Sequence, residues 1–594
     1  MNSCEYDLIV VGSGAAGLTA ACTAAALGKR VVVLEASDRV GGTTAISGGM
    51  VWIPANQKMQ AAGLVDDPAN ARQYLQQTVA GSGTDTRMQA FLGRGDEAIR
   101  FLESRTSLRL QPVRRYPDYY PDVPGATPGG RVLEPVTFDG SELGSDFALL
   151  RDPLPEFLLF GGMMVSREDL PVLRRVFRSP MAVWHAAKLT ARYLVQRTRF
   201  HRGTTLVLGN ALVARLFKSA RDLGVEIRLE AAVTGLVLRG GRVAGVRTAA
   251  KGTTADLGAT CGVVLAAGGI SHHPALRRNY VPAAAGGTSA TFHAQGATAG
   301  AQLAASVGAA LSRPAADVDS ALAFWVPVSK FQRKDGSQGV FPHTVTDRAK
   351  PGLIAVNRDG QRFINEAVSY HEFVRGQLRD AGRNSPAWLI CDSRFLWKYG
   401  LGKVRPFSFS TAEDEKSGYL KRAGSPQELA AAIGVPPAAF AQTLSKYNEG
   451  AARGLDPEFG RGSNIYQRHL GDADQQPNPC VAPIEHAPFY AVAVHPADLG
   501  MAAGLLTDEH ARVLREDGEP IPGLYACGND MHSVMNGAYP GPGITLGPAL
   551  VFGFAAASHA SAQVPHRPEP DLIGETAGAG MAAANNARND NEGQ

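Results

Sequence analysis

The clearest hydrophobic pattern of the chain lies at its start, between Asp7 and Glu35. This segment reads DLIVVGSGAAGLTAACTAAALGKRVVVLE: an apolar run, a glycine-rich turn, an alanine-rich stretch and a second apolar run. Short apolar runs bounded by turn residues predict buried β-strands, and the alanine-rich stretch between them predicts a helix. A strand–helix–strand unit of this kind is typical of α/β proteins with a parallel sheet.

Three glycines in the first turn, Gly12, Gly14 and Gly17, have the spacing G-x-G-x-x-G. In dinucleotide-binding folds the first permits a tight turn, the second lets the backbone approach a pyrophosphate, and the third lets the helix pack closely on the sheet. Glu35, at the end of the second strand, is placed to accept hydrogen bonds from ribose hydroxyls. Because the motif lies between two strands and is followed by this acid, we interpret it as a dinucleotide site.

The segment after Glu35 favours FAD as the dinucleotide. Residues 38–49 read DRVGGTTAISGG, a loop of the kind that runs along the pyrophosphate toward the isoalloxazine in flavoproteins with two dinucleotide domains. The alternative interpretation is a flexible glycine loop. The loop contains no histidine, the residue that carries the flavin in covalently flavinylated relatives, so we expect non-covalent FAD.

The α/β pattern returns at residues 206–268 and 501–562. The first region predicts a helix, a hairpin and a buried strand that returns to the FAD sheet. The second predicts a hairpin with an Asp-Gly turn, a strand that meets FAD again at residues 528–530, and a helix ending near Ala562 whose N–H groups face the flavin. The predicted FAD contacts are Gly12, Gly14, Ala15, Ala16, Gly17, Glu35, Ala36, Gly42, Thr43, Thr44, Ser47, Gly48, Gly49, Val233, Ala267, Gly268, Gly528, Asn529, Gly543, Thr545 and Leu546.

Residues 285–485 lack a second G-x-G-x-x-G motif, so a nicotinamide-binding domain is not expected. We predict an α/β fold in which a Rossmann-like FAD-binding domain contains an inserted α+β substrate domain. Within the insert, the polar and irregular stretch 453–476 predicts a surface loop. The predicted boundaries are 1–284 and 488–562 for the FAD-binding domain, 285–487 for the insert, and 563–594 for a disordered tail.

Composition and charge narrow the class of protein. The 594 residues are 44% hydrophobic and include 67 glycines, as expected for a soluble α/β enzyme. The net charge of +4 is small for this length and argues against nucleic acid as the main partner. The six cysteines form no C-x-x-C pair, so neither a disulfide framework nor a metal site is expected. The first strand begins almost at once and no apolar run has membrane-spanning length, so we expect a cytoplasmic protein.

A basic segment lies between residues 170 and 202. It contains eight lysines and arginines and no acid, interleaved with Phe177, Trp184 and Tyr193. One interpretation is a solvated helix pair with a basic face. The other is peripheral contact with an anionic membrane surface, where an apolar substrate could be collected.

Four segments together resemble the 3-ketosteroid Δ1-dehydrogenases, FAD enzymes of the fumarate-reductase-like superfamily. They are GGTTAISGGMVWIPAN from residue 41, YPDYYPDVPG from residue 116 with PGGR after it, RFINEAVSYHEF from residue 362, and AYPGPGITLGPALVFG from residue 538. The first and last recur loosely in related flavoproteins, whereas the two tyrosine segments are more specific. The resemblance extends to about residue 562 and implies 1,2-desaturation of a 3-ketosteroid, with an electron acceptor that reoxidises the flavin.

The resemblance also implies roles for four residues. Tyr370 corresponds to the base that removes a proton from steroid carbon 2, and Tyr119 to the tyrosine that assists it. The Tyr539 hydroxyl and the Gly543 N–H correspond to the pair that binds the 3-keto oxygen, and the hydride from carbon 1 goes to flavin N5. The alternative for each tyrosine is a core residue with a satisfied hydroxyl. Only for Tyr539, set between glycine turns, do the residues alone favour function.

The chain departs from the family pattern at two places in the insert. Residues 297–300 lack the acid of a T-G-D-G-like helix start, and Phe324 stands where a second tryptophan is common. These changes bear on the identity of the substrate more than on the reaction. The alternative functions are a steroid Δ4-dehydrogenase or ene-reductase of the same flavoprotein type and, from a different class, a non-catalytic flavin electron-transfer module.

Overall fold

The computed structural model describes residues 6–250, 252–345 and 347–563. Its strands are β1 (Tyr6–Val11), β2 (Val31–Leu34), β3 (Val51–Trp52), β4 (Leu110–Pro112), β5 (Val132–Pro135), β6 (Phe138–Asp139), β7 (Thr205–Leu206), β8 (Glu226–Arg228), β9 (Ala232–Arg239), β10 (Arg242–Ala250), β11 (Thr253–Leu265), β12 (Ala323–Gln332), β13 (Gln338–Pro342), β14 (Leu353–Val356), β15 (Ala387–Asp392), β16 (Lys421–Ala423), β17 (Phe489–Met501), β18 (Arg512–Leu514) and β19 (Pro520–Ala526).

Its α-helices are α1 (Ala15–Ala26), α2 (Gly42–Ala45), α3 (Gln57–Ala61), α4 (Pro68–Thr78), α5 (Thr86–Arg105), α6 (Asp169–Leu173), α7 (Pro180–Arg197), α8 (Leu208–Asp222), α9 (Pro274–Arg277), α10 (Gly300–Ala305), α11 (Tyr370–Arg379), α12 (Ala381–Asn384), α13 (Ser393–Tyr399), α14 (Ala412–Lys416), α15 (Pro426–Ile433), α16 (Pro437–Ala451), α17 (Ile465–Leu470) and α18 (Leu546–Ala562). Short 3-10 helices span Gly140–Leu149, Pro155–Phe157, Ala283–Ala285 and Gly528–Asp530.

The first sheet has eight strands and carries the glycine motif. Its order is β18-β19-β11-β1-β2-β8, with β10 joining β11 to β9. β1 runs parallel to β2 and β11, and β11 runs parallel to β19, so the carboxyl ends of these four strands lie at one edge. The apolar residues of β1 and β2 are buried beneath α1, which packs against α8 and α18. In open α/β sheets this edge is where ligands bind.

The second sheet has six strands and is antiparallel. Its order is β13-β12-β17-β15-β14, with β16 paired to β17. α11 packs against β12 and β17. β17 begins at Phe489 and runs in this sheet to Met501, and the division of the chain between 487 and 488 stays a prediction.

The predicted unit at the start of the chain is confirmed as β1, α1 and β2, and the predicted helix near the end is α18. The hairpin through residues 239–241 is confirmed as the antiparallel pair β9–β10, and the later Asp-Gly hairpin as β18–β19. Except for Gln563, the tail predicted at 563–594 lies outside the described residues. None of the described helices combines the length and the apolar character needed to span a membrane.

The prediction of a surface loop at 453–476 is confirmed only in part, since half of its residues are exposed and most of its course is irregular. The segment contains α17 and contributes to a buried ionic network in which Arg362 binds both Glu366 and Asp456 at 2.8 Å. Arg461 lies 3.2 Å from Glu366 and is 1% exposed. Asp456 and Arg461 of this stretch pair inside the protein with Arg362 and Glu366, so the polarity of these two residues did not indicate exposure.

Glu366→Gln tests whether this network stabilises the fold. Burial would raise the pKa of Glu366, but the charges of Arg362 and Arg461 lower it, so the carboxylate is ionised at neutral pH. Removing its charge takes the ion-pair partner from buried Arg461 and one of two buried carboxylates from Arg362, which keeps Asp456. We expect a loss of about 3–5 kcal/mol in the free energy of unfolding. Urea titration at pH 7 measures this loss. Asp222→Asn, in an exposed pair with Lys218, is the control and should cost less than about 1 kcal/mol. Equal losses in the two variants would contradict the prediction.

Candidate active site

The glycine turn after β1 has the backbone geometry that the motif predicts. Gly12 has a φ of +102°, and a Cβ there would lie 2.3 Å from the carbonyl oxygen of Ala266. A Cβ at Gly17 would lie 2.0 Å from the carbonyl oxygen of Gly12, so α1 can rest on the end of β1 only because Gly17 has no side chain. Gly14 is the N-cap of α1 and provides no side-chain cap, which leaves the helix N-terminus open to an anion.

Glu35 and Thr44 flank this helix end. The Glu35 carboxylate accepts hydrogen bonds from Ser13 N–H at 3.0 Å, Ser13 Oγ at 2.6 Å and Ser37 N–H at 2.9 Å. An ionised carboxylate has about four acceptor sites, so capacity remains for a ribose hydroxyl. Thr44 Oγ1 accepts a hydrogen bond from Ala15 N–H at 3.0 Å and holds the loop after Glu35 against the start of α1.

The loop that contains Thr44 also contacts segments more than 150 residues further along the chain. Thr43 lies beside Gly42 in α2, and its Oγ1 accepts a hydrogen bond from Phe292 N–H at 3.1 Å. The Ser47 carbonyl accepts a hydrogen bond of 3.1 Å from the second residue of α8. A Cβ at Gly49 would lie 2.3 Å from the backbone of the first residue of α8, so this loop follows the helix closely.

Val233 lies near Glu35, whereas two other predicted positions have no such contact. Ala231 N–H donates to the Glu35 carbonyl at 2.9 Å, which places the start of β9 and buried Val233 beside the end of β2. Ala36 is half-buried and Gly48 is exposed. The contacts of the described residues do not bring these two against the other predicted FAD positions.

The turns after β11 and β19 complete the edge of the first sheet at which the carboxyl ends of its parallel strands lie. The Asp530 carboxylate accepts hydrogen bonds from Ala267 N–H and from Gly269 N–H, the latter at 3.0 Å, and so joins the two turns. A Cβ at Gly528 would lie 2.9 Å from the Ala16 side chain, so the second turn packs on the start of α1. The predicted residues Gly268 and Asn529 lie within these turns.

Asp530 belongs to the predicted FAD-contacting segment 528–530 but is not one of the individual residues predicted there. Burial raises its pKa to about 6, while its backbone N–H donors lower it. A Cβ at Gly300 would lie 2.6 Å from Asp530 Cγ, so the carboxyl group faces the start of α10. Residues 297–300 carry no acid, and the acid at this helix start is Asp530, from a segment more than two hundred residues away.

The start of α18 approaches the same region. Thr545 is its N-cap and Leu546 its first residue, and Thr545, Asn529 and Phe324 line one small cavity. Gly543 has a φ of +95°, and a Cβ there would lie 2.5 Å from the Met50 carbonyl oxygen. Within the described part of the chain, the Gly543 N–H has no hydrogen-bond partner. It is therefore available to a ligand.

The three predicted tyrosines converge in one buried cluster. The ring centroids of Tyr119 and Tyr539 lie 5.6 Å apart, those of Tyr119 and Tyr370 5.7 Å, and those of Tyr370 and Tyr539 5.2 Å. Tyr370 begins α11 because Ser369 caps this helix by accepting the N–H of Glu372 at 3.2 Å. Tyr119 lies among prolines but is only 5% exposed.

Burial controls the protonation of this cluster. It raises the pKa of Tyr539 to about 12, so this hydroxyl keeps its proton at neutral pH and can donate a hydrogen bond. Burial raises the pKa of Tyr370 well above its ordinary value and Tyr539 raises it further, whereas the Tyr119 hydroxyl lowers it. A negative charge on Tyr370 is therefore costly and depends on Tyr119 as a donor.

Three further side chains of the cluster were not predicted as site residues. Phe324 places its ring edge-on to Tyr539 at 5.5 Å, and Tyr466 lies 4.8 Å from Tyr119. His371 lies 5.6 Å from Tyr539, and burial lowers its pKa to about 4, so its imidazole is neutral at pH 7. Tyr466 comes from the segment taken for a loop, and the position of Phe324 had been noted only as a departure from the family.

Arg348 and Arg375, two arginines near the tyrosine cluster, already bind other groups of the protein. Arg348 donates to four backbone carbonyls, and Arg375 pairs with Glu372 and Asp319. The cluster itself is made of phenols and apolar rings. It is suited to a ligand with a ketone and an apolar body rather than to one with a carboxylate.

The comparisons with known proteins agree with this arrangement. Residues 7–546 match the family described as FAD binding domain. A 3-oxosteroid 1-dehydrogenase of Mycolicibacterium smegmatis is 37% identical over 94% of this chain and 97% of its own length. A 4-oxocyclohex-2-ene-1-carboxylate 5-dehydrogenase of Sinomonas cyclohexanicum is 37% identical over 97% of both chains.

One solved structure is similar throughout. It is the 3-ketosteroid Δ1-dehydrogenase of Sterolibacterium denitrificans in complex with 1,4-androstadiene-3,17-dione, with a TM-score of 0.86 and 37% identity. The alignment covers 94% of this chain and 99% of that one. The resemblance found in the sequence and the predicted fold class are both confirmed. The chain belongs to the FAD binding domain family, in the branch that contains the 3-oxosteroid 1-dehydrogenases.

Proposed function

We propose that this protein is an FAD-dependent 3-oxosteroid 1-dehydrogenase, which forms a double bond between carbons 1 and 2 of a 3-ketosteroid. The observation that carries the proposal is the convergence of Tyr119, Tyr370 and Tyr539 in one buried cluster. The cluster lies close to α18, whose N-cap lines a cavity with residues of the FAD-binding edge. The nearly full-length similarity to 3-oxosteroid 1-dehydrogenases supports the same reaction.

The predicted roles of the four catalytic residues fit the chemistry of the reaction. The 3-keto oxygen accepts hydrogen bonds from the Tyr539 hydroxyl and the Gly543 N–H. Tyr370 removes a proton from carbon 2, and Tyr119 donates a hydrogen bond to Tyr370 while Tyr370 is negatively charged. When bound, FAD supplies at N5 the acceptor for the hydride of carbon 1. The two C–H bonds thus lose a proton and a hydride, and their remaining electron pair forms the new double bond.

Stabilisation of the enolate is the main task of these groups. A proton next to a ketone is poorly acidic, so negative charge develops on the ketone oxygen as the proton leaves. Each donor aimed at such an oxygen contributes about 3–4 kcal/mol in comparable sites. Tyr539 serves this purpose because its pKa of about 12 keeps it protonated while the charge develops.

A cyclic keto acid is the second candidate substrate, since one relative of equal identity is named for 4-oxocyclohex-2-ene-1-carboxylate. A substrate carboxylate in a buried site needs a cation. Arg348 and Arg375 are both engaged with groups of the protein, so the described residues favour the steroid.

Other sequence predictions remain part of this proposal. We assign substrate binding to the insert at 285–487 and FAD binding to 1–284 and 488–562. An electron acceptor must reoxidise the flavin, and the cytoplasmic location stays a prediction. The non-catalytic electron-transfer module, the Δ4-dehydrogenase and the ene-reductase remain alternatives that product analysis separates.

We further propose that the surface formed by α7 and residues 397–409 rests on an anionic lipid membrane. One side of α7 buries Leu189 and Tyr193 against a small cluster around Met163. The other side leaves Trp184 69% exposed and Val195 71% exposed. A helix that is apolar on both sides is not expected to face water.

Neighbouring rings extend this surface. Phe177, 65% exposed, contacts the rings of Trp397 and Phe407, and Phe409 is 88% exposed. The segment between 170 and 202 contains no acid, and six of its eight basic residues are exposed: Arg175, Arg178, Lys188, Arg192, Arg197 and Arg199. Arg175 pairs with Asp474, and the other five give the surface the charge that anionic headgroups attract, whereas Arg202 is buried. Apolar side chains together with lysine and arginine are the features of interfacial helices.

The first test of the proposed reaction is anaerobic. Addition of androst-4-ene-3,17-dione to the FAD-loaded protein should bleach the flavin absorbance, because hydride transfer reduces the flavin when no acceptor is present. With an artificial acceptor, mass spectrometry should show loss of two hydrogens and NMR should place the double bond at carbons 1 and 2. 4-Oxocyclohex-2-ene-1-carboxylate, the second candidate, is the control and should leave the flavin oxidised. A flavin that stays oxidised with every 3-ketosteroid would contradict the proposal.

Tyr370→Phe tests the assignment of the base. The variant keeps the ring but cannot take up a proton, and we expect kcat to fall by at least about 10²-fold, as is common for loss of a general base. FAD content and binding of 1,4-androstadiene-3,17-dione should stay close to those of the unmodified protein. Tyr447→Phe, which removes a buried hydroxyl in α16, is the control. If Tyr370→Phe is as active as the control, another group is the base.

Vesicle flotation tests the membrane surface. The protein should float with vesicles containing anionic lipid, less so at high salt, and should not float with neutral vesicles. Trp184→Glu together with Val195→Glu should abolish flotation without changing kcat. Val65→Glu replaces a residue that is 90% exposed in the loop before α4 and should float like the unmodified protein. Equal flotation of the double variant, or no flotation of the unmodified protein, would remove this proposal.

A further inference from the structure

A hydrogen-bonded node joins the two loops that carry Tyr119 and Tyr539. Its centre is the carbonyl of Pro540, which accepts a hydrogen bond from Tyr119 N–H at 2.9 Å. The same carbonyl accepts a hydrogen bond from the Tyr74 hydroxyl at 2.6 Å. The Tyr74 hydroxyl in turn accepts a hydrogen bond from Tyr120 N–H at 3.3 Å. One side chain of α4 therefore contacts both loops through a single hydroxyl.

This node controls where two rings of the cluster lie. Pro540 follows Tyr539 directly and has a fixed φ, so the position of its carbonyl is coupled to the backbone of Tyr539. The other side of the node is the backbone of Tyr119 and Tyr120. Tyr74 is completely buried, and burial raises its pKa well above the ordinary value, so its hydroxyl remains a donor.

The loop of Tyr119 has a second anchor that does not involve Tyr74. The Asp118 carboxylate accepts hydrogen bonds from Trp52 Nε1 at 2.9 Å, Thr127 N–H at 3.0 Å and Arg131 Nη1 at 2.8 Å. These contacts remain when the Tyr74 hydroxyl is removed. Loss of that hydroxyl should therefore leave the loop of Tyr119 folded, while its position relative to the loop of Tyr539 becomes less fixed.

We infer that Tyr74 is a positioning residue, whose hydroxyl fixes the Tyr539 donor relative to the Tyr119–Tyr370 pair. This inference rests on the proposed function, in which Tyr539 binds the ketone oxygen and Tyr119 supports the base. Tyr74 itself touches no reacting atom. Its hydroxyl acts on the distance between the donor Tyr539 and the base Tyr370. A change in this distance affects the stability of the transition state more than the affinity for the substrate.

Tyr74→Phe in the full-length, FAD-loaded protein tests the inference, with Tyr447→Phe as the matched control. Tyr447 is also a buried tyrosine whose hydroxyl donates to a backbone carbonyl, that of Ala482 at 3.2 Å, but it lies in α16. We expect kcat for androst-4-ene-3,17-dione to fall about 10- to 100-fold in Tyr74→Phe and less than about twofold in Tyr447→Phe. KM, FAD content and the calorimetric affinity for 1,4-androstadiene-3,17-dione should change by less than about twofold in both variants.

The possible outcomes separate this inference from the proposed function. If the unmodified protein does not oxidise any 3-ketosteroid, the proposed function fails and the inference fails with it. If the unmodified protein is active and Tyr74→Phe has the kcat of the control, the inference alone fails. A Tyr74→Phe protein that loses FAD or cannot be recovered, while the Tyr447→Phe protein is normal, gives the hydroxyl a structural role and also overturns the inference.

Discussion

The structure depends on the close approach of backbone to backbone at the turn after β1. A Cβ at Gly12 would meet the Ala266 carbonyl, and one at Gly17 would meet the carbonyl of Gly12. These two contacts bring the ends of β1 and β11 and the start of α1 into one compact corner. The uncapped N-terminus at Gly14 lies in this corner, and the turns after β2 and β19 are hydrogen-bonded or packed to it. The FAD-binding edge thus results from the absence of side chains at two positions.

Burial raises the pKa of both Tyr539 and Tyr370, with opposite consequences for the roles proposed for them. It raises the pKa of Tyr539, which suits a group that must donate a hydrogen bond and keep its proton. The same burial opposes ionisation of Tyr370, the proposed proton acceptor. The Tyr119 hydroxyl lowers the pKa of Tyr370, so the pair supplies what a single buried tyrosine lacks. In the proposed mechanism this is the physical reason for a second tyrosine beside the base.

The sequence predicts the first βαβ unit well because its pattern is local. The spacing of Gly12, Gly14 and Gly17 and the apolar runs around them determine that structure without help from the rest of the chain. Asp530 and Tyr466 could not be found in this way, since their importance comes from contacts with segments more than a hundred residues away. The burial of Arg461 could not be predicted for the same reason, because its partner Glu366 lies elsewhere in the sequence.

The position of Tyr370 links the chemistry to the second sheet. Tyr119, Tyr539 and Gly543 are joined to one another through Pro540 and the loop at α18, whereas Tyr370 belongs to α11, which packs on β12 and β17. Two hydrogen bonds hold this helix to the sheet: Trp325 N–H donates to His371 Nδ1 at 3.2 Å, and the Gln377 amide donates to the Val494 carbonyl at 3.1 Å. The proposed base is therefore carried by a helix of the second sheet, whereas the proposed ketone donors lie in the loop before α18. If these residues act as proposed, the packing of α11 on its sheet sets the distance between proton acceptor and ketone, and contacts far from the flavin edge contribute to the geometry of the reaction.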